Sequence, residues 1–339
     1  MGRLRAMLAE YAAGARNAVR TCLNVHEGDR VAVIRDRGRA DIAEAVVEEA
    51  LAAGAEVVDW VMEEWVRRPA REFPRALAEE IVAFRPTVSF FIGEGEEGEL
   101  AFRQPMLHLL TRQLGCRHGH MIGIERSLML DGMAVDYEEV YRVTRRVHEA
   151  VRGAAEIEVR TRAGTELVAR FSPRYRWVPC DGRYWEQGRW GNLPEGEVFT
   201  APYRVDGVLA GEELGDHFTR RYGLLQEPVR LRIEDSRVVS VEAGSHPELA
   251  RDLERYLAQS LDSNRVGEFA IGTNVGLTKI VGNFLQDEKF PGVHLAFGDP
   301  YGHETGAEWS APSHVDVLAS RADVWVDGRQ VMAAGRFLI

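Results

Sequence analysis

VAVIRDRGRADIAEAVVEEALAAGAEVVDWVM, residues 31–62, decides the fold class. VAVIR (31–35) is a short apolar run bounded by charge, the pattern of a buried strand. IAEAVVEEALAAG (42–54) spaces its apolar residues as a helix does and closes on Gly54, suited to a C-cap. AEVVDWVM (55–62) reads as a second strand. A strand, a helix and a strand with short connections form a βαβ unit and imply parallel pairing. The pattern extends in both directions. An amphipathic helix at about 3–23 comes first, with Leu4, Met7, Leu8 and Tyr11 at helical spacing. ALAEEIVAF (76–84), TVSFFIG (87–93), ELAFRQPMLHLLTRQLG (99–115), HMIGIE (120–125) and VDYEEVYRVTRRVHEAVRGA (135–154) follow as helix, strand, helix, strand and helix. Residues 1–153 are therefore expected to form an α/β domain, a mainly parallel sheet with flanking helices.

The pattern changes near residue 155. EIEVRTRAGTELVARF reads as two alternating strands joined at Ala163-Gly164. VRLRIEDSRVVSVEA (229–243) repeats that style, PELARDLERYLAQ (247–259) is a helix, and the C-terminal hairpin turns at Asp327-Gly328. Residues 154–339 are expected to be a β-rich α+β domain that carries a metal site.

Composition narrows the function. The 339 residues carry a formal net charge of -11. Nucleic-acid and anionic-membrane binding need a basic face, so neither partner is expected. Cys22, Cys116 and Cys180 form no CxxC pair, which suggests neither a disulfide framework nor a thiolate zinc site. A reducing, cytoplasmic setting fits. There is no signal-peptide-type apolar core and no run of 18 apolar residues, so no membrane span is expected. FIGEGEEG (91–98) is glycine-rich but acidic, and reads as a surface loop rather than a phosphate cradle. His118 and His120 read as surface or core residues, and Trp177, Trp185 and Trp190 as packing or a pocket wall.

The chemistry concentrates in residues 268–316, which hold Glu268, Glu288, His294, His314 and Asp316. Carboxylates and imidazoles are the ligands of hydrolytic metal sites. His314 and Asp316 stand two apart and point the same way in a strand. Of the 42 basic residues only Lys279 and Lys289 are lysines, and both fall in this window. Upstream, GNLPEGEVFTAP (191–202) places Glu197 where a turn becomes a strand.

GEVFTAP (196–202), GEFAIGTN (267–274), DEKFPGVHLAFGDPY (287–301) and SAPSHVD (310–316) together resemble the thermophilic aminopeptidase T family of metallo-aminopeptidases. The likeness covers roughly residues 190–330 in segment order and spacing. It implies that Glu197 binds one metal, that Glu268 bridges two, and that His294, His314 and Asp316 are ligands. It makes Glu288 a ligand or a supporting group, and Tyr301 a residue that steadies the tetrahedral intermediate. It also implies two divalent ions (Zn, Co or Mn), a peptide or small amide substrate and a homodimer. The charges agree: four carboxylates and two neutral imidazoles balance two divalent ions. Lys289 departs from the pattern, because the family usually has Asn there. The segment between His294 and His314 is short, and His303 and Glu304 have no match in the family pattern.

The function expected is a metal-dependent hydrolase, most simply an aminopeptidase. The alternatives are another amide hydrolase or a non-haem Fe(II) ring-cleaving dioxygenase of the dihydroxypyridine type, a class that shares this fold. The HxD pair suits a facial iron triad, while Glu197 and Glu268 are more carboxylates than a single iron needs. A metal-free binding protein is a third reading, against which the full ligand set argues.

Overall fold

The computed structural model describes residues 2–339, with the side chains of residues 8–339 except that of Asp216. Leu4 and Met7 lie outside the described side chains; Leu8 and Tyr11, from the same helical face, are buried. The chain divides into two compact units. The first runs to Glu138 and adds Gly182–Glu195; the second takes Glu139–Asp181 and Gly196–Ile339. A single cut at residue 153 is thus replaced by a crossing and a return.

The return has a physical basis in the first sheet. Strands Arg30–Arg35, Glu56–Val61, Val88–Gly93 and Arg117–Ile122 are all parallel, as the βαβ reading requires. A fifth strand, Trp190–Asn192, adds in parallel beside Arg117–Ile122. Three residues of mixed polarity give no periodic signal, so sequence reasoning missed it. Helices Ala40–Ala52, Arg75–Phe84 and Leu100–Leu107 supply the covering layers. Gly54 has φ +85°, the left-handed geometry of a helix stop.

The fourth strand begins three residues earlier than its apolar run suggests. RHGH is polar, yet it lies inside the sheet because its groups satisfy one another. Arg117 Nη2 is 2.7 Å from both oxygens of buried Asp29. Ser89 Oγ meets His118 Nδ1 at 2.9 Å, and His118 Nε2 meets His120 Nδ1 at 3.1 Å. Burial lowers the His118 pKa to about 3 and holds His120 well below the usual imidazole range. Both histidines are core residues.

The second unit is built on two antiparallel sheets. One has eight strands, from Arg237–Glu242 through Glu156–Arg160 to Arg336–Phe337. Its hairpins are those expected; Asp327 and Gly328 have φ +47° and +80°, the backbone that an Asp-Gly turn favours. The other has six strands in the order Glu213–Leu214, His314–Ser320, Gly292–Gly298, Val266–Gly272, Glu197–Thr200 and Val178–Cys180. Helix Pro247–Leu257 buries Leu249, Leu253 and Leu257, spaced four apart on one face. Trp177 packs against Phe171 and Phe269 in this unit's core, at ring separations of 4.9 and 6.1 Å. Trp185 and Trp190 belong to the first unit. Among the described residues no helix is long and apolar enough to cross a membrane.

Candidate metal centre

The six-stranded sheet separates packing from chemistry by alternation, with one register shift between core residue Val266 and Glu268. Val198, Phe269, Ile271, Val293, Leu295, Phe297, Val315 and Val317 join the hydrophobic core. The residues between them form the opposite face. Register sets Glu268 opposite Ala296 and Ala296 opposite Asp316. His294 and His314 lie two residues before these on their own strands, so they share that face. Glu197 pairs with Gly272, four residues beyond Glu268. Ala270, Gly272, Ala296 and Gly298 lie on this face with Phe199 and Leu318, and the small side chains of the first four leave room for the larger polar groups. Gly272 is constrained further, since a Cβ there would sit 2.1 Å from the Phe290 carbonyl oxygen.

All six residues expected to bind metal come together. Glu197 Oε2, His294 Nε2 and Glu268 Oε1 form one group, with the imidazole 3.5 Å from each carboxylate. Glu268 Oε2, His314 Nε2 and Asp316 Oδ1 form a second, with separations of 3.7 and 3.4 Å from the imidazole. Donors bonded at ~2.1 Å to one tetrahedral ion stand ~3.4 Å apart, so both groups have the right size. Glu268 gives one oxygen to each. Glu288 lies with His294 and Asp316 in a third overlapping group.

The electrostatics agree with the geometry. Glu197 Oε2 is buried and has no hydrogen-bond partner among the described residues. Burial, then the charges of Glu197 and Asp316, raise the Glu288 pKa to about 8 against the pull of Lys289. Burial would lower the histidines, but the carboxylates around them overcome it and raise His294 to about 9 and His314 to about 10. Buried carboxylates and imidazoles that depend this far on protons are short of positive charge, which a divalent ion would supply. His314 is also oriented: its Nδ1 donates to the Asp299 carbonyl oxygen at 2.9 Å, turning Nε2 toward Glu268 and Asp316.

Tyr301 sits beside this cluster, its ring centroid 4.5 Å from that of His314 and 6.1 Å from that of Phe199. Desolvation, followed by the charges of Glu268, Asp316, Glu288 and Glu197, raises its pKa well above the usual phenol range, so the hydroxyl stays protonated. His303 and Glu304 pair with each other at 3.3 Å on the short helix after Tyr301.

The contacts of Lys289, which sequence reasoning singled out only as a departure, and a second buried pair escaped that reasoning. Lys289 is 1% exposed, and its Nζ lies 2.6 Å from Glu197 Oε1 and 2.8 Å from Glu288 Oε1; Lys279 is exposed. The lysine scarcity pointed to this window without separating the two. On the edge strand of the same sheet, Glu213 is fully buried, accepts from Thr219 Oγ1 at 2.7 Å, and has its pKa raised to about 9 by burial and then by Asp287. Asp287 accepts backbone N–H bonds from Val281, Gly282 and Asn283. No spacing rule links Glu213 to Asp287.

The family model described as thermophilic metalloprotease (M29) matches residues 131–316, more than half of the chain. The chain belongs to the M29 family. Members of the family depend on a divalent metal, and the matched span contains every residue of the candidate centre. The fold is also that of AmpT from Thermus thermophilus, with a TM-score of 0.70 at 19% identity over 98% of this chain and 99% of that one. The structure of 2,5-dihydroxypyridine dioxygenase from Pseudomonas putida KT2440 matches as well, with a TM-score of 0.70 at 19% identity over 96% of both chains. In sequence, the 2,5-dihydroxypyridine 5,6-dioxygenase of the same organism is 26% identical over 193 residues. That alignment spans about half of the length of each protein, 54% of this chain and 54% of the relative. M29 membership therefore carries the metal dependence, and the two structural likenesses carry the fold.

Proposed function

We propose that this M29 chain is a metallo-aminopeptidase, a hydrolase that releases N-terminal residues from peptides. One observation carries the reading: Glu268 stands between two donor groups and turns one oxygen toward each. Divalent ions such as Zn, Co or Mn, held by Glu197, Glu268 and His294 and by Glu268, His314 and Asp316, would polarise the scissile carbonyl and acidify a water. The chain's own groups do the rest. Tyr301 keeps its proton and can donate a hydrogen bond to an oxyanion that develops on the substrate. The four carboxylates suit the cationic amino terminus of a peptide. Lys289 ties up one oxygen each of Glu197 and Glu288, which fixes how those carboxylates face the centre.

The test is amino-acid release from di- and tripeptides by chelated protein resupplied with Zn²⁺, Co²⁺ or Mn²⁺. Release that vanishes on chelation and returns with an ion supports the proposal. No release from any peptide with ions bound would overturn it.

The similarity to the Pseudomonas dioxygenase supports a second reading, a mononuclear Fe(II) ring-opening enzyme that uses His294, His314 and Asp316. Glu197 and Glu268 weigh against it, since both lie buried on the same face and add charge that one iron does not need. Oxygen uptake with a dihydroxypyridine and one iron per chain would favour it.

A further inference from the structure

We propose that Lys289 is a built-in cation that makes the two ion positions of this centre unequal. On this view the position formed by Glu268, His314 and Asp316 binds a divalent ion first and tightly, and the position formed by Glu197, Glu268 and His294 binds second and weakly. The inference rests on the metal-centre reading above.

Lys289 is one of the largest fully buried side chains among the described residues. Its ammonium touches Glu197 Oε1 at 2.6 Å and Glu288 Oε1 at 2.8 Å. Glu197 is therefore left with one oxygen, Oε2, for an ion, and it lies 3.5 Å from His294 Nε2. An ion at this position would find only one Glu197 oxygen not engaged by Lys289 and a fixed positive charge one carboxylate away, with little water to screen it. Glu288, which reaches toward His294 and Asp316, is held back by the same ammonium.

The second ring nitrogens reinforce the asymmetry. His314 Nδ1 donates to the Asp299 carbonyl oxygen, the outer contact that orients a metal-binding imidazole. His294 Nδ1 is buried with no hydrogen-bond partner among the described residues. The Glu268–His314–Asp316 position thus has an oriented imidazole, and the charge of Lys289 acts on its Asp316 less than His314 and His294 do. The other position has an unsupported imidazole and a carboxylate shared with Lys289.

The test is a titration of chelator-treated protein with Co²⁺ or Zn²⁺, followed by calorimetry and by native mass spectrometry that counts ions per chain. The wild type should load in two steps whose dissociation constants differ by about ten-fold or more, the scale of outer-contact effects on metal affinity. Asp316→Asn should abolish the tight step and Glu197→Gln the weak one. Lys289→Met should tighten the weak step by roughly ten-fold, while Lys289→Arg, which keeps the charge, should leave it weak. The direction is diagnostic: a lysine that only positioned Glu197 would weaken the step on removal.

Two equal steps in the wild type, loss of the tight step in Glu197→Gln, or an unchanged or weakened step in Lys289→Met would overturn the proposal. If Lys289→Met does not fold, the Glu197→Gln and Asp316→Asn titrations decide the loading order without it. A wild type that binds no divalent ion would overturn the metal-centre reading and this inference with it. Two ions bound with equal affinity would overturn this inference alone.

Discussion

Each unit buries a cluster of carboxylates, and the two clusters are balanced in opposite ways. In the first unit Asp36 and Glu99 are fully buried around Arg68, with guanidinium contacts of 2.6–2.8 Å. Backbone N–H groups of Arg39 and Glu94 reach Asp36, and those of Ala70 and Glu96 reach Glu99. Burial alone would raise the Glu99 pKa, but Arg68 and these donors hold it below the usual carboxylate range. In the second unit four carboxylates face one ammonium and two imidazoles, Glu197 Oε2 has no hydrogen-bond partner among the described residues, and Glu288 is pushed up to about 8. Buried acid alone therefore does not mark a site. What marks it is charge that the chain itself leaves unbalanced.

The comparison breaks most sharply at Glu268. On the proposed reading, Glu268→Gln removes the whole negative charge of the carboxylate shared by both donor groups and replaces one of its two oxygens with an amide nitrogen. Peptide hydrolysis should fall by about 10³-fold, ~4 kcal/mol of activation free energy, with the thermal unfolding of the chelated protein nearly unchanged. Full activity in this variant would sink the mechanism.

The counterpart in the first unit is Arg68→Met. It strands two fully buried carboxylates without their cation and should cost ~3–5 kcal/mol of stability, read by denaturant unfolding. The number of ions bound per chain should stay the same. A mild loss, near that of an exposed ion pair, would show that the first cluster is not closed as described.

Much of this contrast was open to a reader of the sequence, and the reason differs by region. The βαβ run at 31–62, the hairpins at 156–170 and 323–333, and the helix near 247–257 are local patterns of apolar spacing and turn residues. They fold as read. The residues that gather in the candidate centre could be read too, because His314 and Asp316 share a strand face and the other segments resemble a known family. What stayed hidden depends on contacts distant in sequence. Arg68 meets Glu99 across 31 residues and Lys289 meets Glu197 across 92, and neither pair has a local signature. The strand Trp190–Asn192 is too short to show a period. FIGEGEEG read as a surface loop, yet it feeds its Glu96 amide and, just beyond it, Glu99 into the Arg68 network.

The clusters should also respond to pH in opposite directions in chelated protein. In the first unit His118, near 3, and Glu99 are both held below their ordinary values. The stability they contribute is present above about pH 6.5 for the histidine and above the usual carboxylate range for Glu99, and is lost as pH falls. In the second unit His294 and His314 are raised to about 9 and 10, and Glu288 to about 8. The histidine contribution is present below 6.5 and lost as pH rises through those values, and the fold must likewise ionise Glu288 as pH passes 8. Asp316, held low by His314 despite burial, acts the other way only in strong acid. Hydrogen exchange, corrected for intrinsic rates, should show the second unit losing protection from about pH 5 to about pH 9, with added Zn²⁺ restoring it. Equal protection at both pH values without ions would mean that the second cluster is balanced like the first.

Tyr301 gives the smallest and most selective test. Its backbone is pinned in the left-handed region at φ +48°, its N–H donates to Asp299 Oδ1 at 2.9 Å, and its carbonyl accepts from the Glu304 and Thr305 amides. Tyr301→Phe therefore keeps the loop and the ring packing on His314, and removes one oxygen. Nothing in the first cluster has such a neighbour, a neutral donor beside uncompensated charge. If that hydroxyl meets an oxyanion, kcat/KM should drop by about 10²-fold, ~2.7 kcal/mol, with ion binding and unfolding unchanged. If ion affinity falls as well, the hydroxyl belongs to the ligand network, and the second cluster differs from the first in charge alone. An unchanged rate with unchanged ion binding would leave the ring as packing and move the search for the oxyanion donor to the backbone around it.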